Sequence, residues 1–215
     1  MTTDELRGWL EAAQRRRETQ LSFAVRSPLS DRQLRDQLDL GLPMVQERSA
    51  QLRRDRSGIW RVTLHLRYRA GVRIADAWHS DSMNALSLEE QTTLARALTI
   101  VEQAGRDHPA PYLLARRLFD AARSCAVYDN PAIGTAAYGQ VISAVSALVG
   151  GRANCQGFSD AYYLLGTLAG LQVGYQAGFK DRVPHLKNTI LLDGRLESVD
   201  VTAGIFPTAS RQPAP

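Results

Sequence analysis

The sequence predicts an α+β protein in which helices pack on antiparallel strands. Three patterns predict this class: amphipathic helical spacing through the middle of the chain, strict alternation from Trp60 to Tyr68, and a hairpin pattern around Asp193-Gly194. Of the 215 residues 44% are hydrophobic, which is enough for a sizeable core, and 22% are charged. This composition excludes a disordered or collagen-like chain.

The first 85 residues are expected to form an N-terminal extension of helices and a hairpin. Thr2 opens a capping box before apolar residues at helical spacing, and Ser30 opens a second helix. Between these helices, residues 20–26 alternate as a short strand. After the polar stretch 46–58, the alternating residues 60–68 are typical of a half-buried strand.

Residues 86–205 are expected to form the core domain. Ser87 begins a helix that ends near Gly105, a second helix covers about 111–126, and a third runs from about 138 to 149. The tail, residues 206–215, is expected to be disordered.

Composition also bears on metals and partners. The chain has two cysteines and four histidines without the spacing of a zinc site, so we expect neither a disulfide scaffold nor a bound metal. Lys180 and Lys187 are the only lysines, so arginine supplies nearly all of the positive charge behind the net charge of +4. The arginine runs are short, and no nucleic-acid-binding motif accompanies them. We therefore expect solvated helix faces and no nucleic-acid partner, and keep arginine-mediated nucleic-acid binding only as a third hypothesis.

No membrane span is expected either. Residues 161–179 are largely apolar with glycines at intervals of four, but Thr167 and Gln172 interrupt them. A helix followed by a glycine turn and a strand explains this segment better. Met1 to Gly8 lacks the features of a secretory signal, and a cytoplasmic and an exported location both remain open.

One cysteine lies at a position that favours reactivity. Gly150 and Gly151 end one helix, and Asn154 is a good N-cap for the next, so Cys155 falls in the first helical turn. Unpaired backbone N–H groups and the positive end of the helix dipole favour a thiolate there and offer donors to an oxyanion. We expect Gly157 to keep this helix start open to a substrate. Cys125, late in a helix, is expected to be an ordinary buried cysteine.

The hairpin near the end of the chain contains a candidate base. With a two-residue Asp193-Gly194 turn, Leu192 faces Arg195, and the register continued along both strands pairs Asp200 with Lys187 and His185 with Thr202. His185 and Asp200 are then diagonal neighbours on one face, about 7–8 Å apart at Cα. A carboxylate in this position can hold one imidazole nitrogen and leave the other for a cysteine. A bulge at the turn would reverse the faces.

These residues carry a family resemblance. The glycine turn, Cys155-Gln156-Gly157 and an aromatic residue, the helix rich in alanine and leucine, the histidine strand and the Val199–Thr202 segment together resemble the core of the bacterial transglutaminase-like superfamily. The resemblance covers about residues 112–202 and includes Tyr128-Asp129 and Ala137-Tyr138-Gly139 upstream. It implies a papain-like fold. By the match, Cys155 would be the nucleophile, His185 the general base and then acid, and Asp200 the orienting carboxylate, with Tyr138, Gln156 and Gly157 as candidate substrate-binding residues.

The function predicted on this basis is thiol-dependent acyl transfer at amide bonds of a protein or peptide substrate, without a metal or organic cofactor. Water as the acceptor gives a peptidase or amidase, an amine gives crosslinking by a transglutaminase, and the sequence does not choose between them. The alternative is a catalytically weak or inactive module for binding or scaffolding. Two departures favour it: the family's His-Ala-Trp-Asn motif becomes His185-Leu186-Lys187-Asn188, and the tryptophan-rich continuation after the aspartate is absent. An ammonium at Lys187 would compete with His185 for Asp200.

Overall fold

The chain forms two compact units, Met1–Arg69 and Ala70–Pro215, in a computed structural model that describes residues 1–208. Each unit combines helices with an antiparallel sheet, so the α+β class is confirmed. Helix α3, Ala70–His79, lies within the stretch expected to belong to the N-terminal extension and is part of the second unit.

The N-terminal unit packs two helices on a three-stranded sheet. Its elements are α1 (Thr3–Arg15), β1 (Gln20–Arg26), α2 (Asp31–Gly41), β2 (Val45–Arg54) and β3 (Ile59–Tyr68), with the strands in the order β1-β3-β2. The capping boxes at Thr2 and Ser30 are both present, as their sequence patterns predict. Fully buried leucines of both helices and β3 form the core, among them Leu10, Leu34 and Leu64.

The polar stretch 46–58 contains a strand that alternation did not reveal. β2 pairs with β3 along its length, but the register shifts between Val45 and Glu47. From Glu47 onward exposed and half-buried residues alternate regularly, but Arg48 occupies one of the half-buried positions, so the sequence lacks a continuous apolar alternation.

The second unit surrounds one buried helix. Helices α3, α4 (Leu88–Ala104), α5 (Pro111–Ser124) and α7 (Ala144–Leu148) pack around α8 (Cys155–Leu168), and a three-stranded antiparallel sheet covers α8 from the other side. A 3-10 turn, Met83–Ala85, leads into α4. The prediction of helices on an antiparallel sheet is therefore confirmed, with α8 as the central helix.

The third helix predicted for this unit is interrupted. The segment forms two short helices, α6 (Ala136–Gly139) and α7, because Ser143 caps α7 with a capping box of its own. The break leaves the carbonyl oxygen of Val141 free to accept from the Asn154 N–H at 2.8 Å. Continuous helical spacing concealed this long-range contact.

The sheet of the second unit has the register predicted at its turn. Its strands are β6 (Val173–Lys180), β7 (Val183–Leu192) and β8 (Arg195–Val199), in that order. Leu192 pairs with Arg195 across Asp193 (φ 50°) and Gly194 (φ 75°), the two positive φ angles of a tight hairpin turn. The β7–β8 ladder ends at Asn188 and Val199, so the predicted pairs of Lys187 with Asp200 and of His185 with Thr202 are wrong. The chain turns away because Asp200 exchanges backbone hydrogen bonds with Ile205, both at 2.9 Å.

The apolar segment 161–179 is the end of α8, a turn at Gly170 and strand β6. In the part of the chain that the structure describes, no helix has the length and apolar character needed to cross a membrane. Of the predicted disordered tail, Phe206 contacts the rings of Tyr112 and Phe119, and the carbonyl oxygen of Pro207 accepts from the Tyr112 hydroxyl at 2.8 Å. Residues 209–215 lie outside the described residues.

Candidate active site

Cys155 is the first residue of α8, as the sequence predicts. Asn154 caps the helix, and its side-chain Oδ1 accepts from the backbone N–H groups of Gln156 at 2.9 Å and Gly157 at 3.4 Å. The expectation of several unpaired N–H groups around the sulfur is therefore wrong, because the cap occupies two of them. Within residues 1–208 the backbone N–H of Cys155 itself has no hydrogen-bond partner, so it remains as a donor beside the partly exposed thiol.

A short parallel strand pair holds the chain just before Cys155. β4 (Val127–Tyr128) pairs with β5 (Arg152–Ala153), and the Asp129 N–H donates to the Ala153 carbonyl oxygen at 2.9 Å. The Arg152 guanidinium forms an ion pair with Asp129 at 2.7 Å. Tyr128 and Asp129 are thereby joined to residues 152–153, which lead into α8.

His185 and Asp200 are brought together, although by another backbone path than the one predicted. The Nε2 atom of His185 lies 2.8 Å from Oδ2 of Asp200, and both side chains are largely buried. The Ala203 N–H donates to the other carboxylate oxygen at 3.0 Å and fixes it in the turn after β8. Among residues 1–208 the second ring nitrogen, Nδ1 of His185, has no hydrogen-bond partner.

The N-terminal end of α8 is tied to the His185 end of β7. The Ser159 hydroxyl donates to the Leu186 carbonyl oxygen at 2.9 Å, and the Asn188 amide donates to the Ser159 carbonyl oxygen at 3.0 Å. Cys155 precedes Ser159 by one helical turn on the same face, about 6 Å along the axis. No hydrogen bond joins Cys155 to His185 or Asp200 within the described part of the chain.

Lys187 does not compete for Asp200. The lysine pairs across the sheet with Gln176, and the ladder that was expected to bring it opposite Asp200 has ended one residue earlier. Over residues 1–208 its ammonium forms no ion pair. The competition expected from the sequence is therefore absent from this structure.

The three candidate substrate-binding residues have different surroundings. The Gln156 side-chain amide donates to the Tyr138 hydroxyl at 2.6 Å, and both residues are partly exposed. Gly157 is buried, and a Cβ atom there would lie 2.5 Å from the Val141 carbonyl oxygen. The structure thus gives Gly157 a packing role between α8 and the α6–α7 break, instead of the expected opening to substrate.

Tyr128 is a neighbour of Cys155 that sequence reasoning did not single out. Burial raises the pKa of Tyr128, and the negative charge of a Cys155 thiolate raises it further. The residue is 53% exposed, so it lies at the surface beside the thiol. The only sequence signal was its place in the Tyr-Asp pair.

Asp160 is a second residue without a sequence prediction. This fully buried carboxylate accepts from the Ala144 N–H at 2.7 Å, the Tyr175 hydroxyl at 2.6 Å and the Gly71 N–H at 3.1 Å. It therefore joins the starts of α3 and α7 to α8 and β6. The sequence signal that could have identified it is that Asp160 is the one acidic residue of α8, a helix whose other residues are mostly apolar.

The other cysteine has a different environment. Burial raises the pKa of the Cys125 thiol, and Arg96 lowers it by a smaller amount. Cys125 is the C-cap residue of α5 and is partly exposed, so the expectation of a buried cysteine within the helix is not met. Among the described residues no group of three or more His, Cys, Asp and Glu side chains is arranged to hold a metal ion.

Comparison with solved structures gave matches of low identity. A structure described as "Crystal structure of a TGase" is 15% identical, with 90% of this chain and 53% of that chain covered and a TM-score of 0.49. A "Putative Cysteine Protease from Cytophaga hutchinsonii" is 8% identical, with 85% and 64% covered and a TM-score of 0.42. A "putative protease from Parabacteroides distasonis ATCC 8503" is 11% identical, with 84% and 39% covered and a TM-score of 0.39. The chain thus spans less than two thirds of the length of each.

No family model matches the chain, and no curated protein matches it significantly.

Proposed function

We propose that this chain is a transglutaminase-like domain that performs acyl transfer at amide bonds through Cys155, His185 and Asp200. The observation that carries the proposal is the 2.8 Å contact between His185 Nε2 and Asp200 Oδ2, on a strand tied to the helix that Cys155 begins. All three residues belong to the second unit and to the proposed core domain, residues 86–205.

The chemistry follows from the roles of these atoms. Asp200 holds Nε2 of His185, so Nδ1 can take the proton of the Cys155 thiol. The thiolate attacks the amide carbonyl carbon, and the resulting oxyanion accepts a hydrogen bond from the Cys155 N–H. The protonated His185 then delivers its proton to the leaving amine, and a thioester remains on Cys155. Water or a second amine attacks the thioester, which yields hydrolysis or crosslinking.

The substrate in this proposal is a protein or peptide. Gln156 and Tyr138 form a hydrogen-bonded pair beside Cys155 and are the candidate contacts for the substrate backbone. Gly157 contributes indirectly, because its lack of a side chain lets α8 approach the α6–α7 break.

Thiol labelling tests the proposal directly. In a Cys125→Ser background, iodoacetamide should modify Cys155 at about pH 6.5 faster than it modifies a free thiol, since a base that removes the proton increases the thiolate fraction. His185→Ala should remove most of this advantage. Labelling no faster than that of a free thiol would exclude the enzyme.

A second candidate function is a transglutaminase-like module for binding or scaffolding. The observation in its favour is the absence, within residues 1–208, of a hydrogen bond between Cys155 and His185. A glutamine-containing protein incubated with a fluorescent amine distinguishes the possibilities. Amine incorporation supports crosslinking, cleavage supports a peptidase, and binding without either supports the module.

A further inference from the structure

A buried pair of side chains, Ser159 and Asn188, joins α8 to the sheet. Their residues are 1% and 0% exposed. The Ser159 hydroxyl donates to the Leu186 carbonyl oxygen at 2.9 Å, and the Asn188 amide donates to the Ser159 carbonyl oxygen at 3.0 Å. The same amide donates to the Gly174 carbonyl oxygen at 3.1 Å. These contacts, which we name the Ser159–Asn188 clamp, connect α8, β7 and β6.

The clamp lies between the two residues whose approach the proposed chemistry requires. Ser159 follows Cys155 by one helical turn, and Leu186 follows His185 directly along β7. Any sliding of α8 along β7 would change the distance from the Cys155 thiol to the His185 ring, and the clamp opposes this sliding with directional hydrogen bonds. Apolar packing between the same elements is less directional and resists sliding less.

The side chain of Asn188 is an unusual choice for packing alone. Within the described residues its Oδ1 atom is buried and has no hydrogen-bond partner, which is unfavourable in a core. Reversing the amide would turn Oδ1 toward two carbonyl oxygens, so the orientation of the group is determined by its acceptors. A leucine would fill the space without an unpaired oxygen but would not hold the register.

We infer that Ser159 and Asn188 are positioning residues that set the register of α8 on β7 and thereby hold the Cys155 thiol at the His185 imidazole. The inference rests on the proposed function and deepens it. Neither residue touches the reacting atoms. Their effect on chemistry passes through the Cys155–His185 pair.

A double-mutant cycle on the labelling rate of Cys155 tests this role. Iodoacetamide labelling from about pH 5 to 9 is measured in a Cys125→Ser background for Asn188→Ala, His185→Ala and the double variant. We expect Asn188→Ala to lower the rate at acidic pH about tenfold and to shift the pH profile toward that of a free thiol, because a misplaced base no longer assists. His185→Ala should then add less than about a twofold effect in the Asn188→Ala background.

Two further variants separate positioning from general stability. Ser159→Ala removes one hydrogen bond of the clamp and should lower the rate about threefold, in the same pH range. Tyr162→Phe is the matched control, because the hydroxyl of this fully buried α8 residue lies 3.4 Å from the Ala115 carbonyl oxygen in α5. It should leave the profile unchanged at a similar thermal stability.

The outcomes are distinct. If His185→Ala alone leaves labelling unchanged, the proposed function fails, and the positioning role fails with it. If His185→Ala slows labelling but Asn188→Ala does not, the positioning role is overturned while the proposed function stands. The same conclusion follows if the two rate effects multiply in the double variant. Should Asn188→Ala fail to fold, Ser159→Ala decides: a pH profile equal to that of Tyr162→Phe would overturn the inference.

Discussion

At the scale of single residues, the two cysteines differ in their surroundings, and their thiol reactivities can be compared within one chain. Both thiols are partly exposed, but Cys155 begins α8, with its own backbone N–H unpaired within residues 1–208, whereas partial burial raises the pKa of Cys125. A thiol with a raised pKa has a smaller thiolate fraction at every pH below that pKa, and thiolates are the species that react. The chain therefore contains a reactive candidate and an internal reference.

At about pH 7 we expect iodoacetamide to modify Cys155 at least tenfold faster than Cys125. The rate for Cys125 should increase only at a more alkaline pH than that of a free thiol, because burial keeps its proton bound. Peptide mass spectrometry of timed samples measures both rates. Earlier modification of Cys125 would contradict the assignment of the reactive thiol.

Asp200 offers a second test at this scale. Asp200→Ala removes the partner of His185 and the acceptor for the Ala203 N–H, and should lower the free energy of unfolding by about 1–2 kcal/mol. The rate of Cys155 labelling should fall about tenfold at neutral pH, because the imidazole loses its orientation.

Asp200→Asn is the matched control for that variant. Its side-chain oxygen can still accept from the Ala203 N–H, so most of the stability should remain. Its amide would donate to His185 Nε2, which leaves the proton on Nδ1 and removes the base. Labelling should therefore be as slow as in Asp200→Ala. Wild-type labelling in either variant would remove Asp200 from the proposed triad.

At the scale of elements, α8 organises the second unit through one carboxylate. Asp160 accepts hydrogen bonds from the starts of α3 and α7 and from β6, so groups from three other elements meet at one buried residue. The close approach also requires Gly71, since a Cβ atom there would lie 2.6 Å from Asp160. The helix that presents Cys155 is thus held by polar contacts as well as by its apolar face.

Asp160→Ala should lower the free energy of unfolding by about 3 kcal/mol, because it leaves buried N–H donors without an acceptor. Tyr175→Phe removes one donor and keeps the carboxylate, and should cost about 1 kcal/mol. Urea unfolding followed by circular dichroism measures both values. Equal losses in the two variants would contradict the role of Asp160 as the shared acceptor.

Alanine substitutions at two glycines distinguish the cost of backbone strain from the cost of steric conflict. Gly194 has a φ of +75° with open space around it, so Gly194→Ala should cost about 1 kcal/mol through strain in the hairpin turn. Gly157 has no such strain, but its substitution by alanine would bring Cβ to 2.5 Å from the Val141 carbonyl oxygen. Gly157→Ala should therefore cost about 3 kcal/mol and slow Cys155 labelling, because α8 must shift. The same urea unfolding experiment ranks the two variants, and the reverse order would contradict this account.

At the scale of the whole molecule, every residue of the proposed site belongs to the second unit, Ala70–Pro215. The N-terminal unit has a core of its own, with Leu64 fully buried in β3. Leu64→Ala should destabilise that unit by about 3 kcal/mol through the lost packing and the cavity it leaves.

The same variant should leave the rate of Cys155 labelling within about twofold of the parent, because Leu64 and Cys155 belong to different compact units and residues without shared partners act independently. Labelling below the unfolding transition, with hydrogen exchange to locate the destabilised region, measures the effect. A large change in the labelling rate would show that the site depends on the N-terminal unit.

Local patterns in the sequence determined where several helices begin, how the β7–β8 hairpin turns, and where Cys155 lies. The capping boxes at Thr2, Ser30 and Ser87 begin the helices predicted for them, because a cap involves residues only three apart. The Asp193-Gly194 turn sets the hairpin register, and Asn154 places Cys155 at the start of α8. These interactions are complete within a few residues, so composition and spacing suffice to predict them.

Tertiary structure alone decided the rest. The ladder ends at Val199 because Asp200 pairs with Ile205, and the Val141 carbonyl oxygen, left free by the break between α6 and α7, accepts from the Asn154 N–H. The acceptor role of Asp160 toward Gly71 joins residues 89 apart, and the clamp joins residues 29 apart. Such partners meet only after the chain has folded. Hydrophobic periodicity predicts which residues are buried but does not predict which buried polar groups will form hydrogen bonds with each other. The sequence thus determined that Cys155 begins α8 and that Asp200 follows β8. The hydrogen bonds and packing between α8 and the sheet, which form only in the folded chain, decided how these two residues are positioned.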